Sequence, residues 1–365
     1  MQVRLNRLEL LGELVPMQGI VERRTTIPVL SHILLRASDD RLGLSATDLD
    51  VSLTSWCAAE VASEGAIAIQ AKKLLEIARA CDGDELTFET SDDGAMAIRA
   101  GRSRFKIRGL EAEDFPTLPA VQDADPVSLP FQVFKSMAGK IIFAISNEDS
   151  RFQLAGALLK QNEGLLILVA TDGHRLALVE SSVEDLVPSE GVLVPRKALM
   201  ELLRFESDGD LAFQRGEHHL SFLVGRRRLI CRVLEGTFPD YERVISRDND
   251  NRLLLDRQQM QGVTQRVSLL TGERSRAVRL ELEPGSMVLS AANPDLGEAK
   301  EDIACDYDGK GISVGVNPDY LRDFLAAAGT DKVRLEIKDD QSQIVAYPVD
   351  GEDARYVCVI MPIRV

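Results

Sequence analysis

The chain has few of the residues on which enzymes and metalloproteins are built. Of its 365 residues four are histidine, five are cysteine and one is tryptophan, and aromatic residues make up 5%. The cysteines (Cys57, Cys81, Cys231, Cys305 and Cys358) are odd in number, scattered and without a CxxC pair. That argues against a disulfide framework and against a zinc site. No apolar run approaches the roughly 18 residues of a membrane-spanning helix, so no membrane partner is expected. The phosphate-cradling GxxxxGK[ST] loop, the HExxH zinc motif and the GxSxG nucleophile elbow are missing, and no cofactor or metal is expected. Positive charge is also scarce: 43 Lys and Arg against 58 Asp and Glu leave a formal net charge of −15. On average this disfavours nucleic acid, which is held largely by basic groups at phosphates. A local basic stripe nevertheless sets its own field.

Hydrophobic residues at 45% and charged residues at 28% give a soluble globular balance. The length exceeds one ordinary core and implies two or three domains. The opening stretch MQVRLNRLELLGELV has acidic residues within its apolar periodicity and no small-residue cleavage site. It reads as an amphipathic helix rather than a signal peptide, and the expected location is cytoplasmic.

Self-similarity is the strongest internal signal. RSRFKIRGLEAEDFPTLP at 102 to 119, RRRLICRVLEGTFPDYERV at 226 to 244 and ARYVCVIMPIRV at 354 to 365 are basic, β-rich runs that reach Pro116, Pro239 and Pro362. Both intervals between those prolines are 123 residues. Ser45-Ala46-Thr47-Asp48-Leu49 is answered by Val169-Ala170-Thr171-Asp172-Gly173 and, more loosely, by Ser290-Ala291-Ala292-Asn293-Pro294. Helical patterns recur at AKKLLEIARAC, PRKALMELLRFES and NPDYLRDFLAAAG, with apolar stripes through Leu74 and Ala78, Leu199 and Leu202, and Leu321 and Leu325. Each unit opens on a second helical pattern, and the remainder reads as short strands between turns. Linkers at 119 to 128 and 245 to 252 separate three α+β domains, 1–120, 128–246 and 251–365, each with two helices and antiparallel sheets.

The polar helix faces repeat as well. Lys72 and Arg79 are seven residues apart, hence on one face, and Lys197 with Arg204 reproduces the arrangement, with Arg196, Lys135 and Lys140 on helices of the same unit. Such residues serve either as a solvated surface or as a recurring basic face.

Three units carrying TTIPVLSHILL, SATDLDVSL, VATDGHRLAL, VPRKALMELL, FPDYERV and YVCVIMPIRV in this order resemble the bacterial sliding clamp, the β subunit of the replicative DNA polymerase. The resemblance covers the whole chain. It implies the DNA clamp fold in a head-to-tail homodimeric ring that encircles double-stranded DNA without sequence specificity, with helices toward the DNA. The implied DNA-binding residues are Arg24, Lys72, Lys73, Arg79, Arg196, Lys197 and Arg204. The implied dimer interface pairs Phe105 and Ile107 with Leu269 and Leu270, although each singly also suits a core. A groove between the second and third domains is implied for the peptide motifs of clients. Its lining is Leu154, Thr171, Gly173, His174, Arg175, Leu176, Pro239, Arg243, Val244, Asn317, Tyr320, Met361, Pro362, Ile363 and Arg364. Implied partners are the replicative polymerase catalytic subunit, an ATP-driven clamp loader, and other polymerases and repair proteins with clamp-binding motifs. Asp319 in place of Lys197, Glu148 near the DNA path and Gln341 at the groove depart from the pattern, so uneven DNA contacts are expected.

Two other readings compete. Asp172 and His174 could orient and protonate a substrate, but no nucleophile or oxyanion hole accompanies them, and adjacent His218 and His219 lack ligand spacing. A non-catalytic scaffold that binds protein peptides without DNA is the other. Its discriminator is whether the basic helix faces share a common hole.

Overall fold

The computed structural model describes residues 1–22, 25–121, 125–148, 150–183, 191–246, 248–272, 276–351 and 355–364. One order of elements, β-α-β-β-β-β-α-β-β-β, runs three times along the chain. In the first repeat it is β1 (Gln2–Asn6), α1 (Arg7–Ile20), β2 (His32–Ser38), β3 (Arg41–Thr47), β4 (Val51–Ser63), β5 (Gly65–Gln70), α2 (Ala71–Ala80), β6 (Glu85–Ser91), β7 (Ala95–Ala100) and β8 (Ser103–Arg108). The second has β9 (Val127–Pro130), α3 (Phe131–Ile141), β10 (Gly156–Asn162), β11 (Leu165–Thr171), β12 (Arg175–Ser182), β13 (Val192–Pro195), α4 (Arg196–Leu202), β14 (Asp210–Arg215), β15 (His219–Val224) and β16 (Arg227–Arg232). The third has β17 (Asn251–Asp256), α5 (Arg257–Ser268), β18 (Val278–Glu283), β19 (Ser286–Asn293), β20 (Gly297–Ala304), β21 (Ile312–Val316), α6 (Pro318–Ala327), β22 (Lys332–Ile337), β23 (Ile344–Pro348) and β24 (Arg355–Ile360). The α+β repeat expected from the sequence is therefore present three times.

One expectation is corrected at the start of the chain. Residues 2–6 form a strand, not the first turn of a helix, and β1 pairs with β4 and β6. Val3 and Leu5 alternate onto the buried face, the period of a strand. The helix begins only after Asn6, whose side chain accepts the amides of Leu8 and Glu9 at 2.9 and 3.1 Å.

The chain divides into two compact units, residues 1–134 with 197–233, and residues 135–196 with 234–365. These units cut across the sequence repeats because sheets continue from one repeat into the next. In the first unit β4 pairs antiparallel with β16, Thr54 opposite Arg228 and Val51 opposite Cys231. The order β5-β2-β3-β4-β16-β15-β14-β9 results, and β1-β6-β7-β8 branches from β4. In the second unit β12 pairs with β24 in the same way, giving β13-β10-β11-β12-β24-β23-β22-β17. The strands β21-β18-β19-β20 form a separate sheet of four. Among the described residues, β8 and β20 each have one edge without a strand partner.

Helices cover the sheets through their apolar stripes. Leu74, Leu75 and Ala78 of α2 are buried, as are Leu321, Phe324 and Leu325 of α6, while Lys72 and Lys73 stay exposed. All five cysteines are free, and burial pushes the thiols of Cys57 and Cys358 up to about 12, which keeps them protonated and unreactive.

One buried charge binds the first repeat to the second within the first unit. Glu13 of α1 is 1% exposed and accepts Arg226 Nε at 3.0 Å, Arg227 Nε at 2.9 Å and Ser55 Oγ at 2.5 Å. Burial alone would raise this carboxyl. Hydrogen bonds from Arg227 and Ser55, with the charges of Arg227 and Arg226, outweigh burial and hold it below the ordinary value of 4.5. A lowered native value means that the stabilisation is complete above the ordinary value and is lost as pH falls through the native one. Glu13→Gln, which leaves the half-buried Arg226 and Arg227 without their counter-charge, is expected to cost about 2 kcal/mol in urea unfolding at neutral pH. The gap between wild type and variant should narrow as the same measurement is carried into acid.

Candidate functional site

The site grows from a turn that the protein builds more than once. In the first repeat Thr47 Oγ1 accepts the Leu49 amide at 3.0 Å, and Asp48 Oδ1 accepts those of Asp50 and Val51 at 3.0 and 2.7 Å. In the second repeat Thr171 Oγ1 accepts the Gly173 amide at 3.1 Å, and Asp172 Oδ1 accepts those of His174 and Arg175, both at 2.9 Å. Asn293 keeps one of these bonds in the third repeat, to the Asp295 amide at 2.9 Å. Side-chain oxygens so placed satisfy turn amides locally. Asp172 thus holds the turn with both oxygens, its Oδ2 receiving Arg175 Nε at 3.1 Å.

Around this turn an apolar cavity of about 130 Å³ opens in the second unit. Of the residues named for the implied groove, Leu154, Thr171, Gly173, His174, Arg175, Leu176, Pro239, Val244 and Met361 line it. Strand pairing brings them together. The register Arg175 opposite Ile360 and Leu176 opposite Val359 lays the end of β24 along the start of β12. Past the strand, the Met361 amide donates to the His174 carbonyl at 2.9 Å and the Ile363 amide to Gly315 at 2.8 Å. Met361 remains 40% exposed at the rim.

Tyr241 and Val359 also line the cavity and were not singled out in the sequence, although both lie inside the repeated runs FPDYERV and YVCVIMP. The other expected residues surround it without lining it. Arg243 is exposed and pairs with Asp240 at 2.7 Å, and Asn317 caps α6 by accepting the Asp319 amide at 2.9 Å. Pro362 and Ile363 are half-buried and Arg364 is exposed beyond them. Gln341 is exposed, and Asp339 Oδ1 accepts its amide at 3.0 Å.

The Arg175 side chain is engaged within the fold. Its guanidinium donates to Asp172, to Asp323 at 2.5 Å and to the Phe143 carbonyl, and it stacks 4.4 Å from the Tyr320 ring centroid. Side-chain exposure of 12% leaves this group little contact with solvent. Tyr320 thus packs against Arg175.

The basic residues divide by environment. Lys72, Lys73 and Arg79 project from α2, with Lys73 Nζ 2.7 Å from Glu76. Lys197 donates to the Ile20 carbonyl at 3.0 Å and forms an ion pair with Asp48. Arg204 lies in the turn after α4, which ends at Leu202, so the seven-residue helical face expected for Lys197 and Arg204 is not formed. Its Nη1 meets both oxygens of Glu201 at 2.8 and 2.9 Å. Arg196 donates to the Ile145 carbonyl at 3.2 Å, and Glu148 pairs with Arg151 at 3.3 Å. Arg24 lies outside the described residues. Phe105 and Ile107 are half-buried on β8; Leu269 and Leu270 follow α5, Leu269 being 74% exposed. No helix among the described residues is long and apolar enough to cross a membrane.

Three repeats joined by shared sheets, with a small apolar groove at one such junction, define a clamp-type binding protein. Family models agree over nearly the whole length: the N-terminal, central and C-terminal domains of the DNA polymerase III beta subunit match residues 1–119, 128–240 and 242–364. The beta sliding clamps of Pseudomonas aeruginosa and Caulobacter vibrioides are 37% and 38% identical to it, each over the full length of both chains. The crystal structure of the P. aeruginosa DNA polymerase III subunit beta superposes with a TM-score of 0.93 at 35% identity, covering both chains completely. A sliding clamp from the same organism, solved bound to griselimycin, gives the same score. The chain belongs to the DNA polymerase III beta subunit family, the beta sliding clamps.

The paired turns yield a direct test. Leu49 adopts φ +81° where its counterpart Gly173 adopts +88°, a conformation costly for a side chain with a Cβ. Leu49 is also 55% exposed, so its side chain packs little. Leu49→Gly is expected to raise stability in urea unfolding by up to about 1 kcal/mol.

Proposed function

We propose that two copies of this chain close head to tail into a ring around duplex DNA and hold the replicative polymerase beside its template. The observation that carries this reading is the pair of edges, among several in the sheets, that the repeat's own pairing rule leaves unmatched. In the chain β4 is paired by β16 of the following repeat, and β12 by β24 of the repeat after that. The strands left over in the same two positions are β20 and β8. By the same rule β20 of one copy pairs β8 of the next, producing a third eight-stranded sheet, and the contact closes after two copies. Phe105, Ile107, Leu269 and Leu270 then form the apolar part of that interface. The repeats serve as clamp domains 1–120, 128–246 and 251–365.

A threaded ring needs only weak, sequence-blind attraction to phosphates, and the acidic remainder repels DNA that is not threaded. Arg24, Lys72, Lys73, Arg79, Arg196, Lys197 and Arg204 supply that attraction unequally. Lys72 and Arg79 on α2 carry more of it than Lys197 and Arg204, whose charges are already matched by Asp48 and Glu201.

The groove at the β12–β24 junction receives peptide motifs of the polymerase catalytic subunit, the clamp loader, and other polymerases and repair proteins. Apolar walls take hydrophobic anchors while Met361 adapts to different side chains. The protein acts in the cytoplasm without chemistry of its own, and an ATP-driven loader opens it.

Sizing at micromolar concentration is expected to return a dimer, and Phe105→Asp with Ile107→Asp a monomer. A monomeric wild type would overturn the ring. Removal of Met361–Val365 begins after β24 ends, so the dimer should persist. Affinity for a polymerase-derived peptide should fall at least about 30-fold, the effect of losing one hot-spot residue. Undiminished binding would reject the groove.

A further inference from the structure

We infer that a second docking surface, an arginine-lined cleft around Trp56, receives an acidic peptide segment of a partner protein. It lies wholly within the first unit, where β2, β3 and β4 meet the β15–β16 turn, and it has a volume of about 530 Å³. Arg36, Arg41, Arg226 and Arg228 line it, and no aspartate or glutamate does. In a chain of net charge −15 this is a local reversal of sign. It is separate from the groove, which belongs to the second unit, and from the exposed cations of α2.

The four arginines divide into a pair anchored by hydrogen bonds and a pair whose N–H donors have no partner among the described residues. Arg226 is anchored by Glu13, and Arg228 by Gln214 Oε1 at 3.3 Å and Ser221 Oγ at 3.1 Å. Arg36 and Arg41 are exposed, and neither side chain forms an ion pair or hydrogen bond among the described residues. Guanidinium forks match planar carboxylates through two parallel bonds, which four lysines would not do. The hydroxyls of Ser45 and Thr54 add neutral donors along the same surface.

Trp56 selects between classes of anion. Its ring centroid lies 5.0 Å from Arg41 and 5.7 Å from Arg226. These residues approach from opposite sides of β4, Arg41 from β3 and Arg226 from just beyond the last β4–β16 pair. The indole thus engages both guanidinium groups by cation–π attraction, and a stacking nucleobase would have to compete with them. Base stacking supplies much of single-strand affinity, so this competition favours an acidic peptide over nucleic acid.

Trp56 is the sole tryptophan of the chain, and its emission therefore reads this cleft alone. The full-length protein would be titrated with a short capped oligoglutamate peptide and, separately, with a short oligothymidylate. A saturable change in emission is expected with oligoglutamate, weakened by salt. Binding should fall at least about ten-fold in the double variant Arg36→Ser, Arg41→Ser, the loss expected for charge-assisted contacts. It should be unchanged when Met361–Val365 are removed, so that failure of the groove and failure of this cleft are distinguishable. Unfolding midpoints would establish that the double variant is folded, and the wild-type titration decides by itself if it is not. No saturable change in wild type, wild-type affinity in a folded double variant, or loss of the signal on truncation would each overturn the proposal. Saturation by oligothymidylate without oligoglutamate would also overturn it, assigning the cleft to nucleic acid.

Discussion

Hydrogen bonding at strand edges is the constraint on which the rest of this structure depends. Each repeat leaves edges whose N–H and C=O groups need partners. β4 and β12 find theirs in β16 and β24, strands of the following repeat. The first pairing brings Arg226 and Arg227 to the buried Glu13 and places Arg226 beside Trp56. The second lays Val359 and Met361 against the turn at Gly173 and so assembles the groove. A lock, a groove and a basic cleft thus follow from one rule of pairing, applied twice.

Features carried by local chemistry were legible in the sequence. Thr-Asp before a turn reads directly because Thr47, Asp48, Thr171 and Asp172 bond to amides only two or three positions away. The stripes of α2 and α6 read for the same reason, since helical periodicity is a short-range property. Features set by distant residues were not legible. The end of α4 carries no Gly or Pro signal; it stops at Leu202 where the chain turns to bury Phe205 completely. The strand β1 was hidden because a five-residue alternation runs straight into a helix, and only Asn6 marks the change. Tyr241 and Val359 are hard to read as groove residues because each also serves the core: Tyr241 in a short 3-10 turn and Val359 in β24, both in the buried cluster beneath the groove.

Charge shows the same division between pattern and environment. Counting cations places Lys197 and Arg204 beside Lys72 and Arg79, yet the first two face carboxylates that are nearly buried. Glu201 is buried enough to raise its carboxyl above the ordinary value even beside Arg204 and Lys197. The shared turn aspartate also has two uses. Asp48 turns one oxygen to the backbone and the other to Lys197, while Asp172 turns its second oxygen to Arg175. A residue that looks like a repeated turn former is therefore a repeated counter-ion too, and the cation it receives comes from a different place each time.

That difference decides how the groove is built. Arg175 reaches from the turn to Asp323 on α6 and to the carbonyl of Phe143 after α3, stacked near both Phe143 and Tyr320. With its donors committed, its contribution is to hold the turn against two helical elements, which sets the neighbouring Leu176 rigidly in the apolar wall. Val359 faces Leu176 across the strand pair and is equally fixed. Met361, unbranched and half in solvent, is then the adaptable member of an otherwise preformed surface. A rigid wall lowers the ordering cost of binding, and one adaptable rim residue admits different anchors, the combination required if one groove is to serve several clients in turn.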